Sequence, residues 1–201
     1  GQTLGLGSGR AARAFVEALG TRVAAGLRVR GVPTSDETAD LARRCLVPLV
    51  TWDDVDTIDI TFDGADEVDP HLNLIKGWGG ALVREKIVAG ASRRLVILVG
   101  EEKLVSQLGA RGKLPVEVIP FGWQVCRRRL AELGLTSALR RAGADLFQSD
   151  NGNYILDCAV PPLADPVRFE QQLLAIPGVV DTGLFLNLAE TILIQHPDRV
   201  Q

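Results

Sequence analysis

Short apolar runs alternate with helical patterns through the first half of the chain. Leu4 to Leu6 ends a strand, and glycines at 5, 7 and 9 punctuate the turn there. Ala11, Ala14, Phe15, Ala18 and Leu19 then recur on one face of a helix from Ala11 to Leu19. Val29 to Val32 reads as a second strand. Thr34-Ser35 reads as the N-cap of a helix with Glu37 and Thr38 in its first turn, running to Arg44. Ile58 to Phe62 is a third strand and Ala81 to Val88 a helix. Leu95 to Val99 is an unbroken apolar run of the kind found in strands buried on both faces. Such alternation predicts an α/β fold with a mostly parallel sheet flanked by helices.

The pattern changes near Leu114. Val116 to Ile119 is a strand and Gly122 to Leu133 a helix. Ser137 to Arg141 and Tyr154 to Val160 are strands joined through Asp150-Asn151-Gly152-Asn153, a turn signal. Asp165 caps a helix that Pro166 opens and that runs to Ala175. Val179 to Leu186 is a further strand. The order βαββαβ predicts a smaller α+β domain of the ferredoxin-like kind. Leu188 to Ile194 then returns to the first sheet. The expected division is an α/β domain of residues 1–113 and 187–201 with residues 114–186 inserted.

Of 201 residues, 46% are hydrophobic, which supports a substantial core and counts against disorder. A net charge of -3 argues against a nucleic-acid-binding protein. The run Arg127-Arg128-Arg129 would spread over several faces of a helix and be solvated. Cys45, Cys126 and Cys158 are odd in number and far apart, so neither a disulfide framework nor a CxxC metal pattern arises. A reduced, cytoplasmic setting is expected. The two histidines, His71 and His196, are too few for a multi-histidine metal site. No apolar run reaches the roughly 18–20 residues of a membrane span, so no membrane partner is expected. No signal peptide pattern is visible, and the abrupt opening Gly1-Gln2-Thr3 leads us to expect a natural segment before it.

Chemistry concentrates between Asp63 and Lys86, in DGADEVDPHLNLIKGWGGALVREK. Asp63 comes after a buried strand and would stand at the carboxyl edge of the sheet, where open α/β folds bind ligands. Asp66 lies in the same turn, and two carboxylates there can hold sugar hydroxyls or move protons. Calcium binding fails, because Ala65 and Val68 break the EF-hand pattern. Simple turn capping stays open. Lys76 leaves an apolar run into Gly77, Gly79 and Gly80 and can steady a developing oxyanion, or merely snorkel. Glu85 is either a general base or a surface acid beside Arg84 and Lys86.

A second loop, Gly5-Leu6-Gly7-Ser8-Gly9-Arg10, joins a strand to a helix. Its glycines let backbone approach a ligand, and the helix N-terminus suits a phosphate. A tight turn without ligand fits equally well. GxGxxG fails because Arg10 stands at the third glycine, and the Walker pattern is absent. A small phosphorylated substrate remains the favoured ligand.

The segments GLGSGRAARAF, TSDETADLA, DITFDGADEVDPHLNLIKGWGGALVREKIV, KLPVEVIPFG and DNGNYILDC, in this order, resemble ribose-5-phosphate isomerase of type A. The resemblance implies a cofactor-free aldose–ketose isomerase of the pentose phosphate pathway, typically a homodimer or homotetramer. It implies Glu85 as general base, with Asp63, Asp66 and Lys76 as the other catalytic groups. Ser8, Gly9, Arg10 and Ala11 match the phosphate loop. Asp63, Gly64, Ala65 and Asp66, then Lys76, Gly77, Trp78 and Gly79, match substrate loops, and Lys103 matches a further substrate lysine. The alternative is a non-enzymatic sugar-phosphate sensor of related fold. There are departures. The family's GTGST is GSGRA here, Trp78 replaces a glycine of KGGGGA, and Gly100 stands where Asp is frequent. The family's N-terminal helix and its lysine have no counterpart in the sequence.

Overall fold

A computed structural model describes residues 1–196, 199 and 200. The chain opens with β1 (Gln2–Leu6), α1 (Gly9–Ala24), β2 (Val29–Pro33), α2 (Asp36–Arg44) and β3 (Ile60–Asp63). Two short strands, β4 (Glu67–Val68) and β5 (Leu74–Ile75), precede α3 (Leu82–Gly90) and β6 (Leu95–Gly100). Next come β7 (Lys113–Val118), α4 (Trp123–Glu132), β8 (Thr136–Leu139), β9 (Arg141–Ala142), β10 (Asp145–Leu146) and β11 (Tyr154–Ala159). The order closes with α5 (Pro166–Leu174), β12 (Val179–Thr182), β13 (Leu184–Phe185) and β14 (Thr191–Gln195). The backbone forms two compact units. One holds residues 1–65, 84–103 and the stretch from Leu188 onward, the other Asp66–Val83 and Leu104–Asn187.

The first unit is built on a five-stranded sheet of order β14-β6-β3-β1-β2, every pair parallel. The strand from the C-terminal stretch therefore does return beside β6, with Thr191 opposite Val96. Leu4, Leu6, Val16, Leu19 and Leu41 are buried together between β1 and the two helices α1 and α2. Close packing demands glycine at position 5, where a Cβ would strike Thr61 and Val88. β1 leads to β2 on one side, and the chain then crosses to β3 on the other. The order reverses between β1 and β3, and at such a reversal the carboxyl ends of parallel strands leave a crevice.

The second unit contains a four-stranded antiparallel sheet of order β12-β7-β11-β8. Numbered within the module, that order is 4-1-3-2, which is the ferredoxin-like arrangement. Leu114, Val116, Leu130, Leu156 and Leu173 fill its core. Asp165 caps α5 by accepting from Arg168 N. A three-stranded antiparallel sheet of order β13-β5-β4 completes the unit. The single strand expected from Val179 to Leu186 is two strands in different sheets. The break falls at Gly183, whose N–H donates to Pro115 O and whose carbonyl accepts from Lys76 N, both at 2.8 Å. A Cβ at position 183 would collide with Lys76 O, so only glycine lets the chain change sheets there. No described helix is long and apolar enough to cross a membrane.

Candidate active site

In the first unit, Asp63 ends β3 at the reversal point and is buried. Its Oδ1 accepts from Ser8 N at 3.1 Å and Gly64 N at 2.7 Å. The carboxylate thus holds the turn after β1 against the turn after β3. Gly7 lies against it so closely that a Cβ would land on the Asp63 carboxyl group.

Ser8 is the N-cap residue of α1, but its hydroxyl does not bond back to its own helix. Ser8 Oγ lies 2.8 Å from Thr34 Oγ1 and donates to Ser35 Oγ at 2.8 Å. Ser35 in turn caps α2, accepting from Thr38 N at 3.1 Å. Thr38 Oγ1 donates to Gly7 O at 3.0 Å. Two helix N-termini are therefore stitched together by hydroxyls, and the positive ends of both dipoles serve one place. The capping pattern at Thr34 and Ser35 predicts a cap alone. Sequence reasoning missed that Thr34, Ser35 and Thr38 join Ser8, since only the parallel pairing of β1 with β2 brings residues 8 and 34 together.

Gly64 and Ala65 are half-buried after Asp63. Gly9 is exposed with a φ of +85°, and Ala11 is half-buried. Arg10 is 91% exposed and its guanidinium lies 3.7 Å from Glu102. Lys103 ends the short turn Glu101–Lys103 that comes after β6. Glu85 is in the first turn of α3 and only 5% exposed, so it is not the surface acid that its charged neighbours suggested. Arg84 beside it is bound to Asp36 at 2.7 Å.

In the second unit, Asp66 N donates to Ile75 O, and Asp66 Oδ2 accepts from Trp78 N at 2.9 Å. Lys76 is buried, with Nζ 5.4 Å from the centre of the Phe185 ring. Burying an ammonium is costly unless it is paired and hydrogen-bonded, and a lysine only 3% exposed does not keep its head in water as a snorkelling one does. Gly77 has a φ of +94° and Gly80 a φ of +96°, so both need glycine. Trp78 stands between two cations, with Arg111 5.0 Å and Lys113 5.6 Å from its ring centre. Gly79 is exposed and open. Glu67 is fully buried and accepts from Gly109 N at 2.6 Å and Arg111 N at 2.8 Å, one on each oxygen. Both of its oxygens are spent on the backbone, so Glu67 is structural although it sits inside the acidic motif. Sequence reasoning missed Arg140, whose Nη1 donates to Gly77 O and Trp78 O. Among the described residues no group of three or more His, Cys, Asp or Glu could hold a metal ion.

The family model for ribose 5-phosphate isomerase A (phosphoriboisomerase A) matches residues 30–199. A ribose-5-phosphate isomerase A of Thermomicrobium roseum is 52% identical over 96% of this chain and 83% of its own length. One from Bradyrhizobium diazoefficiens is 51% identical over 100% of this chain and 88% of its own. Among solved structures, a D-ribose-5-phosphate isomerase in complex with phospho-erythronic acid is similar with a TM-score of 0.96 and 38% identity, over 100% of this chain and 89% of that one. The enzyme of Methanocaldococcus jannaschii has a TM-score of 0.95 and 40% identity, over 100% and 90%.

Proposed function

The chain belongs to the ribose 5-phosphate isomerase A family, and on that premise we propose how its residues carry the reaction. It is an aldose–ketose isomerase that interconverts ribose 5-phosphate and ribulose 5-phosphate. The observation that carries the reading is the junction of two helix N-termini at Ser8 and Ser35, next to the buried carboxylate of Asp63. A phosphate suits the first feature and a sugar hydroxyl the second. The comparisons give no support to the sensor alternative.

In the proposed mechanism, Ser8, Gly9, Arg10 and Ala11 hold the substrate phosphate, the amides of Gly9, Arg10 and Ala11 donating to it while the Ser8 N–H stays on Asp63, with Lys103 adding charge. Anchoring that remote group fixes the reacting carbons. Asp63 moves the proton that opens the furanose ring. The Asp63–Asp66 and Lys76–Gly79 segments, Gly64, Ala65, Gly77 and Trp78 included, hold the opened chain. Glu85 removes the proton from C2 of the aldose while the C1 carbonyl becomes the oxygen of a cis-enediolate. Lys76, assisted by Asp66, stabilises that charge. Glu85 then returns the proton to C1 while the hydroxyl proton of O2 passes to O1, leaving a ketone at C2 and a hydroxyl at C1. The solved relative's phospho-erythronic acid is an anionic sugar-acid phosphate, and a carboxylate resembles an enediolate, which supports this route.

We further propose that the chain acts in the cytoplasm, in the non-oxidative pentose phosphate pathway, as a homodimer or homotetramer. Residues 114–186 are proposed as a domain inserted into 1–113 and 187–201, with Asp66–Val83 and the stretch from Leu104 joining the same compact unit. The test of the catalytic reading is Glu85→Gln, assayed with ribose 5-phosphate in chelator-treated buffer. Turnover should fall by about a thousandfold with KM little changed, within the range general-base removal gives. Near-parental turnover in that variant would refute the assignment.

A further inference from the structure

The acidic motif and the glycine loop after Lys76 do not reach their geometry alone. A residue 63 positions beyond Gly77 in the sequence holds them. Arg140 comes just after β8 and its side chain is 9% exposed. Its Nε donates to Asp157 Oδ2 at 3.0 Å, and its Nη2 pairs with Asp157 Oδ1 in the forked manner of guanidinium and carboxylate. Asp157 also receives Lys113 Nζ at 3.2 Å. Neutralised in this way, Arg140 turns its remaining nitrogen, Nη1, onto two successive carbonyls, Gly77 O at 2.9 Å and Trp78 O at 3.1 Å.

The consequence lies in the planarity of the peptide. In a trans peptide the C=O and N–H of one unit point in opposite directions. The unit whose carbonyl is Gly77 O carries the N–H of Trp78. With its oxygen held by Arg140, that N–H must face the other way, and there it meets Asp66 Oδ2 at 2.9 Å. A continuous line runs from the Asp157 carboxylate through the Arg140 guanidinium and one peptide unit to the Asp66 carboxylate. The cation polarises the peptide it grips, which makes the N–H at the far end a stronger donor. The next unit is gripped at Trp78 O, so Gly79 N–H also faces away from Arg140, at a position where a Cβ would meet nothing within 4 Å. The loop needs this grip. Gly77 and Gly80 have positive φ, and glycine-rich backbone has many alternative conformations to lose.

We propose that Arg140, with Asp157 behind it, is a positioning residue for the isomerisation. It sets the Gly77–Trp78 peptide so that Asp66 is held in its working orientation and Gly79 N–H faces away from the guanidinium. Arg140 touches no reacting atom in this assignment. The inference rests on the proposed roles of Asp66 and the Lys76–Gly79 loop.

The test is a double-mutant cycle on the full chain with Arg140→Lys and Asp66→Asn, reading kcat and KM separately, with thermal unfolding alongside. Lysine keeps the charge but cannot grip Asp157 and two carbonyls together. Arg140→Lys should lower kcat by about a hundredfold, the scale of an ångström-sized misplacement, with KM within about threefold. Once Asp66→Asn is present, adding Arg140→Lys should cost nothing further, because both act through the same carboxylate. Multiplying losses, or a kcat within about twofold of the parent for Arg140→Lys, would overturn the proposal. If Asp66→Asn alone were fully active, the reading of the site would fail instead, and the two failures are thereby distinct. Should Arg140→Lys fail to fold, Asp157→Asn loosens the same guanidinium without changing shape. The same loss in kcat and the same non-additivity are expected of it, and multiplying losses would again overturn the proposal.

Discussion

Two glycine-rich loops lead into helices in this chain, and they are held in opposite ways. The Gly5–Gly9 loop lies over a buried carboxylate. Asp63 takes the N–H of Ser8 and of Gly64, so those two amides turn inward. The Gly77–Gly80 loop lies over a buried guanidinium. Arg140 takes the carbonyls of Gly77 and Trp78, so there two carbonyls turn inward, while Trp78 N–H goes to Asp66 and Gly80 N–H to Gly77 O. Glycine is required on overlapping grounds. At positions 5 and 7 a side chain would collide with neighbours, while at 77 and 80 the backbone is left-handed and a Cβ would also strike Leu82 or Phe147. Similar composition thus conceals two devices. The charge beneath a loop decides which of its polar groups are held inward.

The strongest attempt to break this contrast is Gly7→Ala. The new methyl would fall on the Asp63 carboxyl group and its backbone, neither of which can yield cheaply. We expect a loss in turnover of about a hundredfold, as misplacement of a catalytic carboxylate gives, and a lowered unfolding temperature. Turnover near the parental value would mean that the first loop does not depend on close approach to Asp63.

A smaller effect is expected of Trp78→Gly. Its ring lies between Arg111 and Lys113, and losing two exposed cation–π contacts should cost about 1–2 kcal/mol in a denaturant melt. The backbone contacts of the loop do not involve the ring, so kcat should stay within about threefold, less than any loss of the oxyanion environment would give. A hundredfold loss would show that the ring, and not Arg140, holds the loop. The smallest effect belongs to Arg10→Ala. Arg10 is 91% exposed and near Glu102, so its removal should raise KM by about threefold at most while kcat holds, as for an exposed ion contact. A tenfold rise in KM would mean that the side chain leaves Glu102 for the phosphate.

These contrasts also mark what was legible in the sequence. Periodicity predicts the parallel sheet and the ferredoxin-like module, because apolar spacing reports directly on burial. The N-cap at Ser35 and the Asp165–Pro166 helix start were legible because capping is local chemistry. The strand break at Gly183 was not, since it depends on Pro115 and Lys76 approaching from distant segments. The short strands β4 and β5 carry too few residues to show a period. Glu67 and Asp66 are adjacent acids in one motif, yet Glu67 braces the backbone at 109 and 111 while Asp66 meets the Trp78 amide. Nothing in their local sequence separates them. Arg140 was invisible for the same reason, its partners at 77, 78 and 157 being joined only by the fold.

The central claim is that Glu85 carries the proton between C2 and C1. Conversion of ribose 5-phosphate in deuterium oxide tests it most directly, with deuterium at C1 of the ketose and at C2 of the recovered aldose monitored by NMR. The parent chain should incorporate deuterium as it turns over. Glu85→Gln should do so about a thousandfold more slowly, while the substrate still shifts amide signals of the Ser8 loop. Deuterium entering at the parental rate in Glu85→Gln would contradict the account.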